Sequence, residues 1–248
     1  MRRGWQIAES AAFFVALVLA WEALVRLLHI KAYLLPTPSE IAVAGWLRFD
    51  TLLDQTLITL YEVLLGFVFA VIGGILIALG IFVIPLLRRT LYPLVVAFQG
   101  TPKVALAPLI VVWIGYGTSS KVLMSFLFAF FPIVISTLGG LSSTPPHLEE
   151  HFRALRAPVW VTFWRLRIPN ALPNLIDGCK VAMPLAVIGA IVGEFVGSDR
   201  GLGNLIVFAA GSSRTDLTFA AIIFVTLLSL ALYGVIEYAG RFVWWRGR

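Results

Sequence analysis

Of 248 residues, 60% are apolar and 13% charged, and the mean hydropathy is +0.94. Soluble domains carry charge on about a quarter of their residues, so a soluble globular class is excluded and an integral membrane protein in a lipid bilayer is expected. The 19 Lys and Arg against 13 Asp and Glu are thinly spread at the flanks of apolar runs; that is the pattern of membrane topology, and no nucleic-acid partner is expected.

The N-terminus has a basic head, Arg2 and Arg3, followed by apolar residues through Leu28 with no small-x-small cleavage site after them. It reads as an uncleaved first span rather than a signal peptide. Runs near the ~20 residues that cross the hydrocarbon give spans near 9–29, 57–84, 91–115, 120–141, 174–197 and 217–239. The runs are continuous rather than alternating, which favours a helical bundle over a β-barrel. The expected fold is therefore an all-α membrane protein, a six-transmembrane-helix bundle forming one domain over 1–248.

In the first span, Glu22 and Arg26 are spaced to pair along one helix face. Gly66, Ala70, Gly74 and Ala78 recur every fourth residue, as do Gly178, Ala182, Ala186 and Ala190, with Gly189, Gly193 and Gly197 on an adjacent stripe. Such stripes let backbones approach closely, within the bundle or at a moving or dimeric interface. Pro102 and Pro108 interrupt the third span, and Pro132 and Pro184 lie inside the fourth and fifth, each favouring a kink. Lys103 lies deep in the third span; it either lines a path for an anionic solute or is structural, paired to a carboxylate such as Glu62. Asp177 and Lys180 read as a structural pair, Cys179 as a small inert core residue. Glu194, at the end of the fifth span, is a gate candidate or a hydrogen-bonded helix-end carboxylate. The candidates for the translocation pathway or gate are Pro102, Lys103, Pro108, Trp113, Met183 and Glu194.

With the N-terminus inside, the inner segments hold Arg2, Arg3, Arg88, Arg89, Arg153, Arg156, Arg165, Arg167, Arg241, Arg246 and Arg248, and the outer ones Lys31, Arg48, Lys121, Arg200 and Arg214. Eleven cations against five put both termini and the 142–173 loop in the cytoplasm.

That loop is the one long amphiphilic stretch. Pro145 and Pro146 open a short helix, Arg156 and Ala157 turn, and Pro158 begins a second short helix in which Trp160, Phe163 and Trp164 mix with Arg165 and Arg167. Pro169 and Pro173 mark the return to the bilayer. A projecting hairpin of this kind suits a hydrophobic groove with charged walls on a partner; the alternative is an amphipathic hairpin lying at the headgroups.

The loop resembles the cytoplasmic coupling loop of bacterial ABC importer permeases, whose pattern is Glu-Ala-Ala, then Gly after three intervening residues, then Ile or Leu and Pro. Here Glu150, His151 and Phe152 take the first positions, Arg156 the Gly position, and Ile168 and Pro169 the close. PTPSEI at 36–41, TPKVALAPLIVVWIGYG at 101–117 and GEFVGSDRGLGNLI at 193–206 follow the order and spacing of the nitrate/sulfonate/taurine-type permeases of binding-protein-dependent transport. The chain departs from the pattern at His151, Phe152, Arg156 and Pro158.

The resemblance implies a type I ABC importer permease in the bacterial inner membrane, two copies of it (a homodimer favoured), a cytoplasmic ABC ATPase dimer and an extracytoplasmic solute-binding protein. The ATPase-coupling residues it implies are Glu149, Glu150, His151, Phe152, Arg153, Leu155, Arg156, Ala157, Pro158, Ile168 and Pro169. No phosphate-binding G-x-x-x-x-G-K-[ST] loop is present, so the chain has no nucleotide site of that kind. It is expected to hold no cofactor or metal of its own, ATP and Mg belonging to the ATPase. His29, His147 and His151 form no ligand cluster, and no Ser or Cys has a base partner at recognisable spacing, which disfavours the rival of a membrane-embedded enzyme. An ATP-independent channel is the other rival. An oxyanion such as sulfonate, taurine or nitrate is the favoured solute; Trp113, Phe128, Phe130 and Phe131 equally suit a neutral or aromatic vitamin or pyrimidine precursor.

Overall fold

Two helices packed backbone-to-backbone on a third form the centre of the molecule. The computed structural model describes the backbone of residues 2–242 and the side chains of residues 9–242, and within these all regular structure is helical. The side chains of Arg2, Arg3, Arg246 and Arg248, counted above for orientation, lie outside the described residues.

The first span, α1 (Arg2–Leu27), is exposed along nearly all of its described length, as a helix facing lipid is. A short α2 (Pro38–Leu47) follows. Its start explains PTPSEI: Thr37 accepts from the Glu40 amide (3.3 Å) and the Glu40 carboxylate accepts from the Thr37 amide (2.8 Å), a capping box with Pro38 in the first turn. Glu22 pairs with Arg26 as expected and also accepts from the Ser39 hydroxyl (2.8 Å), tying α1 to α2.

The second long helix, α3 (Phe49–Val83), has 35 residues. At 1.5 Å per residue it is about 52 Å long, more than the ~30 Å of hydrocarbon. Next come α4 (Pro85–Gln99), a 3₁₀ turn (Lys103–Leu106) and α5 (Ala107–Ile114), then α6 (Thr118–Ser142). The hairpin holds α7 (Pro146–Ala154) and α8 (Val159–Thr162). A π turn (Phe163–Arg167) then runs into α9 (Ile168–Gly197), and α10 (Leu202–Gly211) and α11 (Thr215–Arg241) complete the chain.

Among the described residues five helices are long and apolar enough to span a membrane, six if the bent pair α4–α5 counts as one span. The third span, read at 91–115 with Pro102 and Pro108 as interruptions, is broken at the first of these. It bends by 94° between Gln99 and Lys103, at Thr101-Pro102, where the proline cannot donate a helix hydrogen bond. Pro132 and Pro184 remain inside unbroken helices.

Both small-residue stripes are buried inside the chain, on α6. A methyl at Gly66 or Gly178 would collide with Ser125 or Ser136 of α6, and Gly189 lies against the Met124 and Ser125 backbone. These stripes serve packing within the bundle. Around them Ile133, Met183, Val187, Leu202 and Leu217 fill the main core. Lys180 pairs with Asp177 (3.3 Å) and with Glu237 of α11 (2.7 Å); this brings the last turns of α11 to the first half of α9, the half nearer the hairpin.

Candidate functional site

Three constellations stand out, one at each end of the bundle and one at the bend between them. At the first end is the hairpin. Pro145 caps α7 and Pro146 opens it, as the sequence reading has it. The turn falls at Arg156, whose φ of 51° lies in the left-handed region. That conformation favours glycine, which is the physical reason for a glycine in the pattern this position replaces. Pro158 is the cap rather than the first residue of the second arm. That arm is not a separate short helix: Val159–Gly197 is one helix of 39 residues containing the π turn, with Pro169 in the first turn of α9 and Pro173 inside it. Pro169 cannot donate to the turn before it, and it directly follows the wider π turn through which the arm feeds into the span.

Val159 is 87% exposed and Trp160 67%, with Leu155 and Trp164 also exposed. Glu150, His151, Arg153 and Arg156 are exposed beside them, while Phe152 and Ala157 are half-buried. Glu149 accepts from Arg167 across the two arms (2.9 Å). A cleft of about 770 Å³ opens between the hairpin and the end of α3, lined by Phe82, Glu149, Arg153, Trp160, Phe163 and Arg167 among others. Ile168 is half-buried where the arm enters α9.

At the other end, charge is buried rather than displayed. Lys121, counted above among the exterior cations, is 1% exposed. Its ammonium donates to the carbonyls of Tyr116, Gly117 (3.1 Å) and Gly197. Glu194, also 1% exposed, accepts from the Thr59 hydroxyl (2.7 Å) and the Gly203 amide (2.5 Å). Thr59 in turn accepts from the Leu202 amide (2.9 Å), and Gln55 from the Gly201 amide (2.5 Å). Gly201 has φ 96°, and a Cβ there would fall on the Glu194 carboxylate. Glu62, on α3, turns its buried carboxyl toward that of Glu194. The GEFVGSDRGLG segment is thereby a loop folded over a carboxylate, joining α3, α6, α9 and α10. The charges of Lys121 and Glu194 are satisfied in this way, whereas Glu62 Oε2 is buried without a hydrogen-bond partner.

Between the two ends, at the bend, Lys103 donates to the Gln99 carbonyl (3.3 Å), covering the carboxyl end of α4 with a cation. Its ammonium also lies 5.1 Å from the Phe131 ring centroid and 6.0 Å from that of Phe128. The partner named for it above, Glu62, faces Glu194 instead. Of the other pathway candidates, Pro102 and Pro108 flank the 3₁₀ turn, Trp113 is 75% exposed near the far end of α5, and Met183 is sealed in the core. The six candidates lie on separate elements, from the 3₁₀ turn and α5 to α9 and its buried carboxylate. Among the described residues no group of three or more His, Cys, Asp and Glu could hold a metal ion.

The sequence reading missed Lys121 as a buried cation, Thr59 and Gln55 as its neighbours' partners, and Arg167 with Phe82 at the hairpin. The available signals were Thr-Ser-Ser-Lys at a helix start, where a lysine can turn back onto carbonyls, and two glycines flanking Leu202 after a glutamate.

A bundle of up to six spans, with an exposed hairpin feeding one of them and a short helix after the fifth, is the architecture of an ABC importer permease. Residues 43–244 match the family model described as "Binding-protein-dependent transport system inner membrane component", and the chain belongs to that family. It is 37% identical over 241 residues to the formylaminopyrimidine transport permease protein ThiX of Halalkalibacterium halodurans, covering 96% of this chain and 94% of the relative. To the taurine transport system permease protein TauC of Escherichia coli it is 26% identical over 250 residues, 98% and 91% of the two chains. A solved structure of the MetNI methionine ABC transporter, in inward-facing conformations, superposes with a TM-score of 0.63 at 20% identity, over 80% of this chain and 96% of that one. That likeness is of fold, and the fold is that of a type I importer permease.

Proposed function

We propose that the chain forms the solute pathway of an ATP-driven importer whose separate cytoplasmic ATPase grips the 142–173 hairpin. Two copies of the permease assemble with two ATPases, and an extracytoplasmic binding protein delivers the solute. Both termini and the hairpin face the cytoplasm; with Lys121 withdrawn from the exterior cations, the charge contrast sharpens. The observation that carries the reading is the hairpin's exposed edge of Leu155, Val159, Trp160 and Trp164 ringed by arginines. An apolar, aromatic rim of this kind fits a groove. The test is coexpression with a candidate ABC ATPase: the full chain retains the ATPase on purification and supports ATP-driven uptake, and a chain lacking residues 148–167 does neither. Unchanged uptake after that deletion overturns the reading.

For the solute, a flat nitrogen heterocycle is the reading we favour. Lys121 and Lys180 have their charges occupied by carbonyls and carboxylates, whereas Phe98, Trp113 and Tyr116 expose aromatic faces along the bent segment and its exit. The relative named for formylaminopyrimidine is also more similar, at 37% against 26% for the taurine permease. An oxyanion is the second reading; what favours it is that Lys103 spends its charge on a single carbonyl at 3.3 Å and two ring faces. The molecule that copurifies in the binding protein decides between them.

A further inference from the structure

One side chain outside the coupling pattern joins three elements at the hairpin end. Arg167 bridges to Glu149 of α7 (2.9 Å), and its guanidinium carbon lies 4.9 Å from the centroid of the Phe82 ring near the end of α3. Phe82 also stacks on Phe163 (6.2 Å between centroids, planes 28° apart). Phe163 and Arg167 open and close the π turn, whose wider winding re-aims the residues that follow it. Few other contacts hold α7: it packs little against the spans, and the nearby Asn170 to Ser143 bond is long, at 3.5 Å.

Half-exposed ion pairs and ring contacts contribute little to global stability, so the value of this cluster is geometric. We propose that Arg167 is a positioning residue that makes the hairpin and α3 one mechanical unit, so that displacement of α7 is delivered to α3 instead of being lost in flexing of the hairpin. The proposal rests on the reading that a partner grips the hairpin. An element that transmits motion must keep one arrangement while its neighbours shift, since coupling requires that both ends bias the same states.

The test uses the complete complex in nanodiscs with its ATPase. Spin labels are placed at His147→Cys on α7 and Leu76→Cys on α3 in a Cys179→Ser background, and the interlabel distance is read with and without ATP. With one permease copy labelled per complex, the wild-type cluster gives one narrow distance that ATP does not change. Arg167→Met, which keeps bulk but loses both contacts, loses the single narrow distance and becomes ATP-sensitive; Arg167→Lys, which keeps the cation, restores it. Phe82→Leu removes the ring alone and broadens the distance while leaving the ion pair. An Arg167→Met distribution identical to wild type in both conditions overturns the proposal. A wild-type complex that carries no ATPase overturns the functional reading instead, and the nucleotide-free widths still decide the strut.

Discussion

Replacing Thr59 by valine keeps the side-chain shape and removes one oxygen from the middle of the buried network. Two partners are then stranded: the Leu202 amide, which donated to Thr59 at 2.9 Å, and Glu194 Oε1, which accepted at 2.7 Å. Glu194 still has the Gly203 amide on its other oxygen, so the orphaned Leu202 N–H dominates. A buried group left unsatisfied costs about 1–3 kcal/mol, and the two together come to about 3 kcal/mol. For a chain of this size each kcal/mol moves Tm by about 2–4 °C, so Tm falls by about 6–12 °C. An ordinary interhelical hydrogen bond in a membrane protein is worth only about 0.6 kcal/mol, or about 1–2 °C, so the two explanations are separable. The assay is thermal unfolding in detergent followed by tryptophan fluorescence. Thr59→Ser, which restores the oxygen, returns most of the loss, and Thr90→Val, which removes an exposed hydroxyl bonded to its own helix at Leu86, changes nothing. A Thr59→Val protein melting within about 2 °C of wild type would show that the loop is not held by this bond.

Lys121→Met leaves three carbonyls without their donor; at least about 3 kcal/mol is lost, read as a lower yield of folded protein and a lower Tm, and an unchanged Tm refutes the burial argument. Arg156→Gly relieves a left-handed residue by about 1 kcal/mol, raising Tm while ATPase copurification persists; Arg156→Val lowers both, and a stabilised valine variant would contradict the turn geometry. Lys103→Met removes a single 3.3 Å bond and two ring contacts, so stability drops by about 1 kcal/mol and uptake of a neutral heterocycle is retained. Loss of uptake in a folded Lys103→Met protein transfers support to the oxyanion reading.

The elements easiest to read from sequence were those where one physical rule acts alone. Apolar run length gave the spans, and the every-fourth-residue glycines and alanines gave the helix faces that meet α6. The hairpin's turn at Arg156 and Ala157 was legible from proline placement on both sides. The misreadings came where two rules compete. Pro102 was recognised as an interruption, but a 94° bend depends on whether the next turn resumes the same axis, which no local residue dictates. Lys121 follows Thr118, Ser119 and Ser120 and is polar in every local sense; its burial depends on carbonyls of Tyr116 and of Gly197, the latter 76 residues away. Hydropathy cannot distinguish a lysine that reaches water from one that reaches carbonyls. Arg167 was counted for its charge, which fixes orientation, whereas its place against Phe82 depends on a π turn invisible in the sequence.

The two ends of the bundle share a structural consequence through α3. This helix runs antiparallel to the long helix Val159–Gly197 and is fastened to it, or to the loop after it, at both extremes: by Gln55 and Thr59 around Glu194 and Gly201, and by Phe82 on Arg167 and Phe163. Between those points α6 packs on both helices with glycines at the contacts. Glycine contacts put backbone against neighbouring atoms with no long side chain between them, and close-packed interiors transmit displacement instead of absorbing it. A frame pinned at both ends and filled without slack moves as a body or not at all. The bent pair α4–α5 has exposed hydrophobics on both helices, buries only Val95 along α4, and is fastened at its break by one lysine. The break at Thr101 to Lys103 is therefore, beside the sparsely packed α1 and α7, a place where relative motion disturbs little burial and few bonds.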